Sequence, residues 1–209
     1  MKKAEKQAAL TELATLYPDA KPALNFTTPY ELLVAVVLSA QCTDARVNIV
    51  TAILFEKYST PQAMVTLSQK ELEKYIFSCG FYRMKAEHIL SASQDILDKF
   101  NGEVPGTVEE LMTLAGVGKK TANVVYAVAF GGDAIAVDTH VFRVSNRLGL
   151  AKGKTPLEVE EGLYKVVPKK NWSKAHHWMI YHGRRVCHSQ KPACETCTLA
   201  HLCDYAKKH

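Results

Sequence analysis

The sequence lacks any uninterrupted apolar stretch of roughly 18 residues, the length that a membrane-spanning helix requires. Its opening residues 1–5 carry charge and precede no apolar signal core, so neither secretion nor membrane insertion is indicated. Without a secretory context, three disulfides are a poor interpretation of the six cysteines. We therefore expect a cytoplasmic protein without a targeting signal.

The chain also lacks alternating apolar and polar segments with hairpin turns, and it has no internal repeat or low-complexity linker. It has instead clear helix starts, in which a serine or threonine precedes a glutamate by three residues, at Thr28, Ser68, Thr107 and Thr155. Apolar residues then follow at helical spacing. The sequence therefore predicts an all-α fold, and its 209 residues suffice for one large domain or two small ones.

The net charge of +5 is unevenly distributed along the chain. Residues 1–130 contain 13 basic and 14 acidic side chains, whereas residues 131–209 contain 13 basic and 7 acidic ones. The second part also holds seven of the eight histidines. A basic half is typical of a polyanion-binding face, although a solvated surface explains the charge equally well. The Gly131-Gly132 break lies where the balance changes and predicts a domain boundary.

Cysteine is scarce until the end of the chain, where four thiols follow the spacing C-x6-C-x2-C-x5-C at Cys187, Cys194, Cys197 and Cys203. Such a cluster predicts a metal centre, either an iron–sulfur cluster or structural zinc. Structural zinc usually recruits two short knuckles, and only Cys194 and Cys197 form one here. Electron-transfer ferredoxins space their cysteines more tightly. Because four thiols suffice as ligands, His188 and His201 are not predicted to bind the metal.

A glycine turn stands between two predicted helices, 107–114 and about 119–130, with the sequence Leu-Ala-Gly-Val-Gly-Lys-Lys-Thr at positions 114–121. Its glycines allow a tight turn and a close approach of the backbone to a ligand. The N-terminus of the following helix adds N–H groups and a partial positive charge. The pattern predicts an anion site suited to a DNA phosphate, formed by Gly116, Val117, Gly118 and Lys119.

Lys120 and Asp138 each have an ordinary and a chemical interpretation. Lys120 is either a solvated or phosphate-contacting lysine, or an amine that a helix N-terminus and partial desolvation keep in its nucleophilic form. Asp138 either caps a helix from Val141 to Leu148, or presents a carboxylate that acts as a base or stabilises positive charge. The residues alone leave the choice open for Lys120, and for Asp138 the two roles are compatible.

Together these features resemble the endonuclease III family of bifunctional base-excision DNA glycosylases. The resemblance covers essentially the whole chain and rests on the cysteine spacing and on three segments in order: Leu38-Ser39-Ala40-Gln41 with Thr43-Asp44, Gly116 to Asn123, and Val137 to Arg143. It implies two helical domains with a cleft between them that holds the active site. Residues 22–131 would contain a helix-hairpin-helix at about 107–130, and residues 1–21 with 132–209 would carry a [4Fe–4S] cluster within 187–203.

The resemblance also implies the chemistry. Lys120 matches the nucleophile that attacks the sugar C1′ of an extruded damaged pyrimidine and forms a Schiff base, after which β-elimination cuts the strand 3′ to the abasic sugar. Asp138 matches the carboxylate that assists base loss and stabilises the cationic sugar. Gln41 and Phe81 match two positions that probe the duplex from opposite sides, with a loop glutamine and a core aromatic as the alternatives.

The implied substrate is double-stranded DNA that contains oxidised or ring-saturated pyrimidines or abasic sites. We expect a monomer with no membrane partner, associated with the nucleoid in a cytoplasm of bacterial type. The cysteines would hold the [4Fe–4S] cluster, which would order a basic loop and take no part in the chemical step. Arg184 and Lys191, which lie before and within this loop, would then contact DNA phosphates.

Three residues depart from the family pattern. Ala115 stands where proline is usual, Phe81 where leucine is more typical, and Cys42 where a small residue such as alanine is usual. We interpret Cys42, like Cys79, as buried and inert. None of these departures touches the implied chemistry.

Two other functions remain as alternatives. An adenine glycosylase that acts on mismatches shares the hairpin and the cluster, but it would lack a lysine at position 120 and would carry an additional C-terminal domain. A non-catalytic helix-hairpin-helix or iron–sulfur DNA-binding protein would have no use for Lys120 and Asp138 together.

Overall fold

The computed structural model describes residues 1–208, in which the regular secondary structure is all helical. The α-helices are α1 (Lys3–Leu16), α2 (Pro29–Ser39), α3 (Asp44–Leu54), α4 (Pro61–Met64), α5 (Gln69–Ile76), α6 (Tyr82–Lys99), α7 (Val108–Leu111), α8 (Lys119–Ala129), α9 (Thr139–Leu148), α10 (Pro156–Val166) and α11 (Trp172–Arg185). Short 3₁₀ helices span Lys169–Asn171, Cys194–Thr196, Thr198–His201 and Ala206–Lys208. The described part contains no strand, which confirms the predicted all-α class. No helix within it is both long and apolar enough to cross a membrane.

The helix starts are the best-predicted local features. A serine or threonine hydroxyl accepts the amide of the third helical residue at Thr28, Thr43, Thr60, Ser68, Thr107 and Thr155. Ser68 and Glu71 form the full reciprocal capping box. At α10 the Glu158 carboxylate instead accepts the amide of Lys154, which precedes the cap.

The helix ends are less well predicted. The expected helix 107–114 is wrong at its end, because α7 stops at Leu111. Beyond it, the amides of Thr113 and Leu114 bond to carbonyls only three residues back, as in a tightened turn. The helix expected from Val141 begins two residues earlier, at Thr139.

Residues Pro22–Gly132 form one compact unit, which we name the hairpin unit. Its central helix is α2, in which every residue from Tyr30 to Leu38 is buried. A helix that is apolar on all sides lies inside a core, and α3, α6 and α8 pack around this one. Burial of α2 therefore fixes the starting point of the loop that follows it.

Residues Met1–Lys21 and the chain from Asp133 onward form a second compact unit, which we name the cysteine unit. Its helix α11 packs against both α9 and α1. The α1 residues Ala9, Leu10 and Leu13 are buried in the same core as Val141 and Trp178. The apolar face of α1 thus ties the start of the chain to its C-terminal part.

Candidate functional site

The turn between α7 and α8 depends on one of its two glycines for its shape. Gly116 has φ +74°, and a Cβ atom there would lie 2.8–3.0 Å from atoms of His88. Gly118, the N-cap of α8, has φ −85° and open space where a side chain would go. Val117 between them is buried, and its amide donates to the Leu114 carbonyl at 3.2 Å. The valine therefore anchors the turn while both glycines stay exposed.

We expect Gly116→Ala to lower the free energy of unfolding by about 1–3 kcal/mol, because an alanine at this positive φ is strained and its Cβ meets the His88 ring. Urea denaturation followed by circular dichroism measures this effect. Gly118→Ala is the control and should cost at most about 1 kcal/mol, the difference between the two residues at an N-cap. Equal losses in the two variants would show that the turn does not depend on the Gly116 conformation.

Helix α8 begins at the surface with two lysines. Lys119 and Lys120 are its first two residues, and both are exposed. The first amides of a helix have no partner within the helix, and the helix N-terminus carries a partial positive charge. The exposed turn and the start of α8 therefore combine features that favour an anion, and they carry an amine on the second helical residue.

Asp138 is the N-cap of α9, since its Oδ1 accepts the Val141 amide at 2.7 Å. The predicted capping role is thus confirmed. Burial lowers the pKa of nearby His177 to about 3, with His176 adding to the shift and Asp138 opposing it. Burial also lowers the pKa of His140, again against the effect of Asp138. The rings of His177 and His140 are therefore neutral at pH 7 and supply no counter-charge to the carboxylate.

The second half of α9 holds the segment that follows α11. Arg143 donates from Nε to the Cys187 carbonyl at 3.0 Å and from Nη2 to the Gly183 carbonyl at 2.9 Å. Arg147 donates from Nη2 to the Ser189 carbonyl at 2.9 Å, and its Nη1 lies 3.6 Å from Cys187 Sγ. One helix therefore carries Asp138 at its start and, further along, the cations that position the first cysteine.

The four C-terminal cysteines line a single pocket: Cys187, Cys194, Cys197 and Cys203. Burial raises the pKa values of Cys194 and Cys197, and the charges of other cysteines in this set raise them further. The remaining lining is largely apolar, with Leu148, Val186 and Pro192 among it. The thiols stand around the walls of the pocket, and among residues 1–208 no three Cys, His, Asp or Glu side chains are placed to hold a single metal ion.

Left-handed backbone conformations mark three of the residues predicted to contact DNA. In the described chain, the non-glycine residues with positive φ are Gln41 (51°), Phe81 (58°), Asn101 (53°) and Lys191 (48°). Such conformations cost energy in residues with a side chain and concentrate at functional sites. Phe81 is 59% exposed, which rules out the alternative of a core aromatic. Gln41, Lys191 and Arg184 are exposed as well.

The two remaining cysteines differ in exposure. Cys79 is buried, and burial together with neighbouring Cys42 raises its pKa to about 11. Cys42 itself is only partly buried, so the expectation of a buried residue is wrong there. Its position in the loop between α2 and α3 accounts for the difference.

The predicted residues divide between the units. The hairpin unit contains Gln41, Phe81 and the turn with Lys120, while the cysteine unit contains Asp138, Arg184, Lys191 and the four clustered cysteines.

Comparison with known proteins gives the family. Residues 34–169 match the model of the HhH-GPD superfamily base excision DNA repair protein. The chain is 49% identical over 211 residues to endonuclease III of Synechocystis sp., a match that covers 99% of this chain and 96% of the relative. It is 47% identical over 208 residues to endonuclease III of Escherichia coli K12, covering 100% of this chain and 99% of the relative. The chain belongs to the endonuclease III family.

A solved structure agrees with this assignment. A trapped endonuclease III–DNA covalent intermediate, an estranged-adenine complex, superimposes on the chain with a TM-score of 0.96 and 53% sequence identity. The match covers 100% of this chain and 98% of that structure. This endonuclease III family member is therefore an enzyme of base excision repair, a DNA glycosylase and abasic-site lyase.

The cysteine pocket of this endonuclease III family member also contains a histidine that the sequence did not suggest. His182 lines the pocket, with Nε2 3.7 Å from Cys197 Sγ and Nδ1 3.0 Å from the Tyr17 hydroxyl. Burial lowers the His182 pKa to about 4, so the ring is neutral at pH 7. If Cys197 is a thiolate, Nε2–H donates to it and Nδ1 accepts from Tyr17. No sequence signal links residues this far apart.

Proposed function

We propose that this chain excises oxidised or ring-saturated pyrimidines from double-stranded DNA through a Schiff base on Lys120. The Nζ atom attacks C1′ of the damaged nucleotide, the C1′–base bond breaks, and the base leaves with its bonding electrons and a proton. The C1′–O4′ bond of the sugar then opens while a proton passes from Nζ to O4′, which leaves an imine between Nζ and C1′. Removal of a proton from C2′ of this imine drives β-elimination, which breaks the C3′–O bond and releases the 3′ phosphate. The observation that carries this proposal is the exposed Lys120 at the start of α8, directly after the Gly116 turn.

Asp138 has a separate role in this proposal. Its carboxylate stabilises the positive charge that develops on the sugar as the base leaves. The cap bond to the Val141 amide holds the carboxylate in one orientation, and the nearby imidazoles are neutral. The cap therefore serves the chemistry by fixing the negative charge before the reaction begins.

Gln41 and Phe81 are the proposed contacts to the bases. Extruding a nucleotide costs a few kcal/mol, and side chains that fill the vacated space offset part of that cost. Both residues are exposed and held in left-handed conformations, with Phe81 as an apolar wedge and Gln41 as a polar probe.

The proposed phosphate contacts lie in both units. In the hairpin unit they are the backbone of the turn from Gly116 to Gly118 and the side chain of Lys119, with buried Val117 as the anchor of the turn. In the cysteine unit they are the exposed Arg184 and Lys191. Such contacts add affinity for any DNA sequence and weaken as salt rises.

A nicking assay tests the proposed reaction. We expect the purified protein to cut a duplex oligonucleotide with one thymine glycol 3′ to the lesion, and to form a covalent adduct with it under sodium borohydride. An undamaged duplex of the same sequence is the control. Activity on a mismatched adenine alone would favour the adenine glycosylase alternative, and binding without cleavage would favour a non-catalytic module.

We infer further that the four clustered cysteines hold a [4Fe–4S] cluster. The donor set fits, since four thiols line one pocket and thiolates are the ordinary ligands of such clusters. The neutral His182 beside Cys197 and Arg147 beside Cys187 can donate hydrogen bonds to ligating sulfurs. When bound, the cluster would supply a structural cross-link among the four cysteines. The segment with Lys191 lies between Cys187 and Cys194, so that cross-link would order it.

Metal analysis tests the cofactor. We expect iron and sulfide in the purified protein, with an absorbance band at about 400 nm that gives it a brown colour. Cys197→Ala should lose the iron, the sulfide and the absorbance, together with the order of residues 187–203. Cys42→Ala should keep all of these, because Cys42 lies in the other unit. Stoichiometric zinc without iron would overturn this assignment and leave the excision reaction untouched.

A further inference from the structure

A side chain from another helix donates a hydrogen bond to a backbone carbonyl at the C-terminal end of α2. The last four carbonyls of a helix have no partner within it and must find one elsewhere. In α2, Val36 accepts from the Ser39 hydroxyl at 2.8 Å, Val37 from the Ala40 amide at 3.4 Å, and Ser39 from the Cys42 amide at 3.1 Å. These partners are local. The carbonyl of Leu38 is different, because it accepts from the side chain of Lys85 on α6.

Lys85 is a buried cation with two carbonyl partners. Its side chain reaches past the helix end, so that Nζ donates to the Leu38 carbonyl at 2.7 Å and to the Ala40 carbonyl at 2.6 Å. The residue is 3% exposed, and burial lowers its pKa. Burial of an amine is costly, and the carbonyls at the negative end of a helix offset that cost. The two bonds to carbonyl oxygens therefore account for a lysine at this buried position.

The same residue is also connected to Phe81. The Lys85 amide donates to the Phe81 carbonyl at 3.1 Å, within the first turn of α6. The loop before α6 also lies close to the loop after α2, because a Cβ atom on Gly80 would lie 3.0 Å from the Gln41 carbonyl oxygen. One residue thus bonds to Phe81 through its backbone and to the residue before Gln41 through its side chain.

We propose that Lys85 is a positioning residue that holds Gln41 and Phe81 in register with each other. Ala40 precedes Gln41 directly, so a fixed Ala40 carbonyl sets the plane of the peptide from which Gln41 turns into its left-handed conformation. The inference rests on the proposed role of Gln41 and Phe81 in filling the space left by an extruded nucleotide. Lys85 itself is buried and takes no part in the reaction at C1′.

Lys85→Met is the variant that tests the proposal. Methionine keeps an unbranched side chain in the same space and removes both hydrogen bonds. Lys99→Met is the matched control, since Lys99 is an exposed lysine about 21 Å further along the same helix.

A first measurement does not depend on enzyme activity. Hydrogen–deuterium exchange should be about tenfold faster at the amides of Ala40 and Cys42 in Lys85→Met, because the loop loses its tie to α6. Exchange in the buried stretch of α2 from Leu32 to Val37 should stay unchanged, as it should everywhere in Lys99→Met. Unchanged exchange at Ala40 and Cys42, or equal acceleration throughout α2, would overturn the proposal whether or not the chain excises pyrimidines.

A second measurement separates positioning from general loss of structure. We expect Lys85→Met to slow excision of thymine glycol from a fully paired duplex by about tenfold, and by less than about threefold when the lesion is unpaired, because extrusion then costs little. Gly80→Ala should show the same difference between the paired and the unpaired substrate, but a smaller one. Its Cβ would lie 3.0 Å from the Gln41 carbonyl oxygen, whereas no buried hydrogen bond is removed. Equal losses on both substrates would overturn the positioning role. If the unaltered protein cuts neither substrate, the proposed reaction fails and the exchange measurement alone decides the role of Lys85.

Discussion

Lys120→Ala should form no borohydride-stable adduct with DNA that contains thymine glycol or an abasic site, while it binds the same DNA within a few-fold of the unaltered protein. The adduct is the reduced imine between Nζ and C1′, and alanine has no nitrogen from which to form it. Binding should persist because the phosphate contacts that we propose come from the backbone of the turn and from other cations. Denaturing electrophoresis of the trapped complex and a gel-shift titration measure the two effects.

Lys119→Ala is the matched control for this experiment. It removes the neighbouring lysine of the same exposed helix start and should leave trapping intact. Loss of one phosphate contact should weaken binding to all DNA sequences alike. It should also reduce the magnitude of the slope of log K against log salt concentration by about one. Persistent trapping in Lys120→Ala would assign the Schiff base to another amine. Loss of trapping in both variants would mean that the helix start is needed as a whole, and neither lysine could then be named as the nucleophile.

The residues that the sequence could identify are those whose role is local. The caps at Thr28, Ser68 and Thr155 bond within a few residues of themselves, and so does Asp138. A short segment therefore contained all the information needed to place them. The predicted helix 107–114 shows the limit of this reasoning, because nothing local distinguishes a continuing helix from the tightened turn that follows Leu111.

The residues that the sequence could not identify bond over long distances. Lys85 meets carbonyls 47 and 45 positions earlier in the chain, and His182 meets Tyr17 165 positions away. In the sequence, nothing distinguishes Lys85 from the other lysines of the chain, and only its burial and its hydrogen-bond partners set it apart. The same holds for Arg143, whose contact with the Cys187 carbonyl joins α9 to the cysteine segment.

The histidines modify what the charge distribution indicated. Seven of eight lie in the basic half of the chain, which suggested a polyanion-binding face. In the structure His176, His177 and His182 are buried, and burial lowers the pKa values of His177 and His182 to about 3 and about 4. These two rings are uncharged at pH 7. They therefore add no positive charge for a phosphate, in contrast to exposed lysines and arginines such as Arg184 and Lys191.

Asp138→Asn should separate the two roles of Asp138. Asparagine is as good an N-cap as aspartate, so the bond to the Val141 amide should survive and the free energy of unfolding should change by less than about 0.5 kcal/mol. The charge is lost, and with it the stabilisation of the cationic sugar. We therefore expect excision of thymine glycol to slow by roughly 10²-fold or more. Single-turnover kinetics on the duplex and urea denaturation give the two values.

Asp138→Ala and a second substrate complete the test. Alanine removes both the cap and the charge, so it should slow excision as much as asparagine does and also lower the free energy of unfolding by about 1 kcal/mol. A preformed abasic site has already lost its base and needs no help with that step. Asp138→Asn should therefore cleave abasic DNA with a smaller loss than it shows on thymine glycol. Near-normal excision by Asp138→Asn, with a destabilised Asp138→Ala, would reduce Asp138 to a helix cap and leave the developing charge on the sugar to be stabilised by some other group.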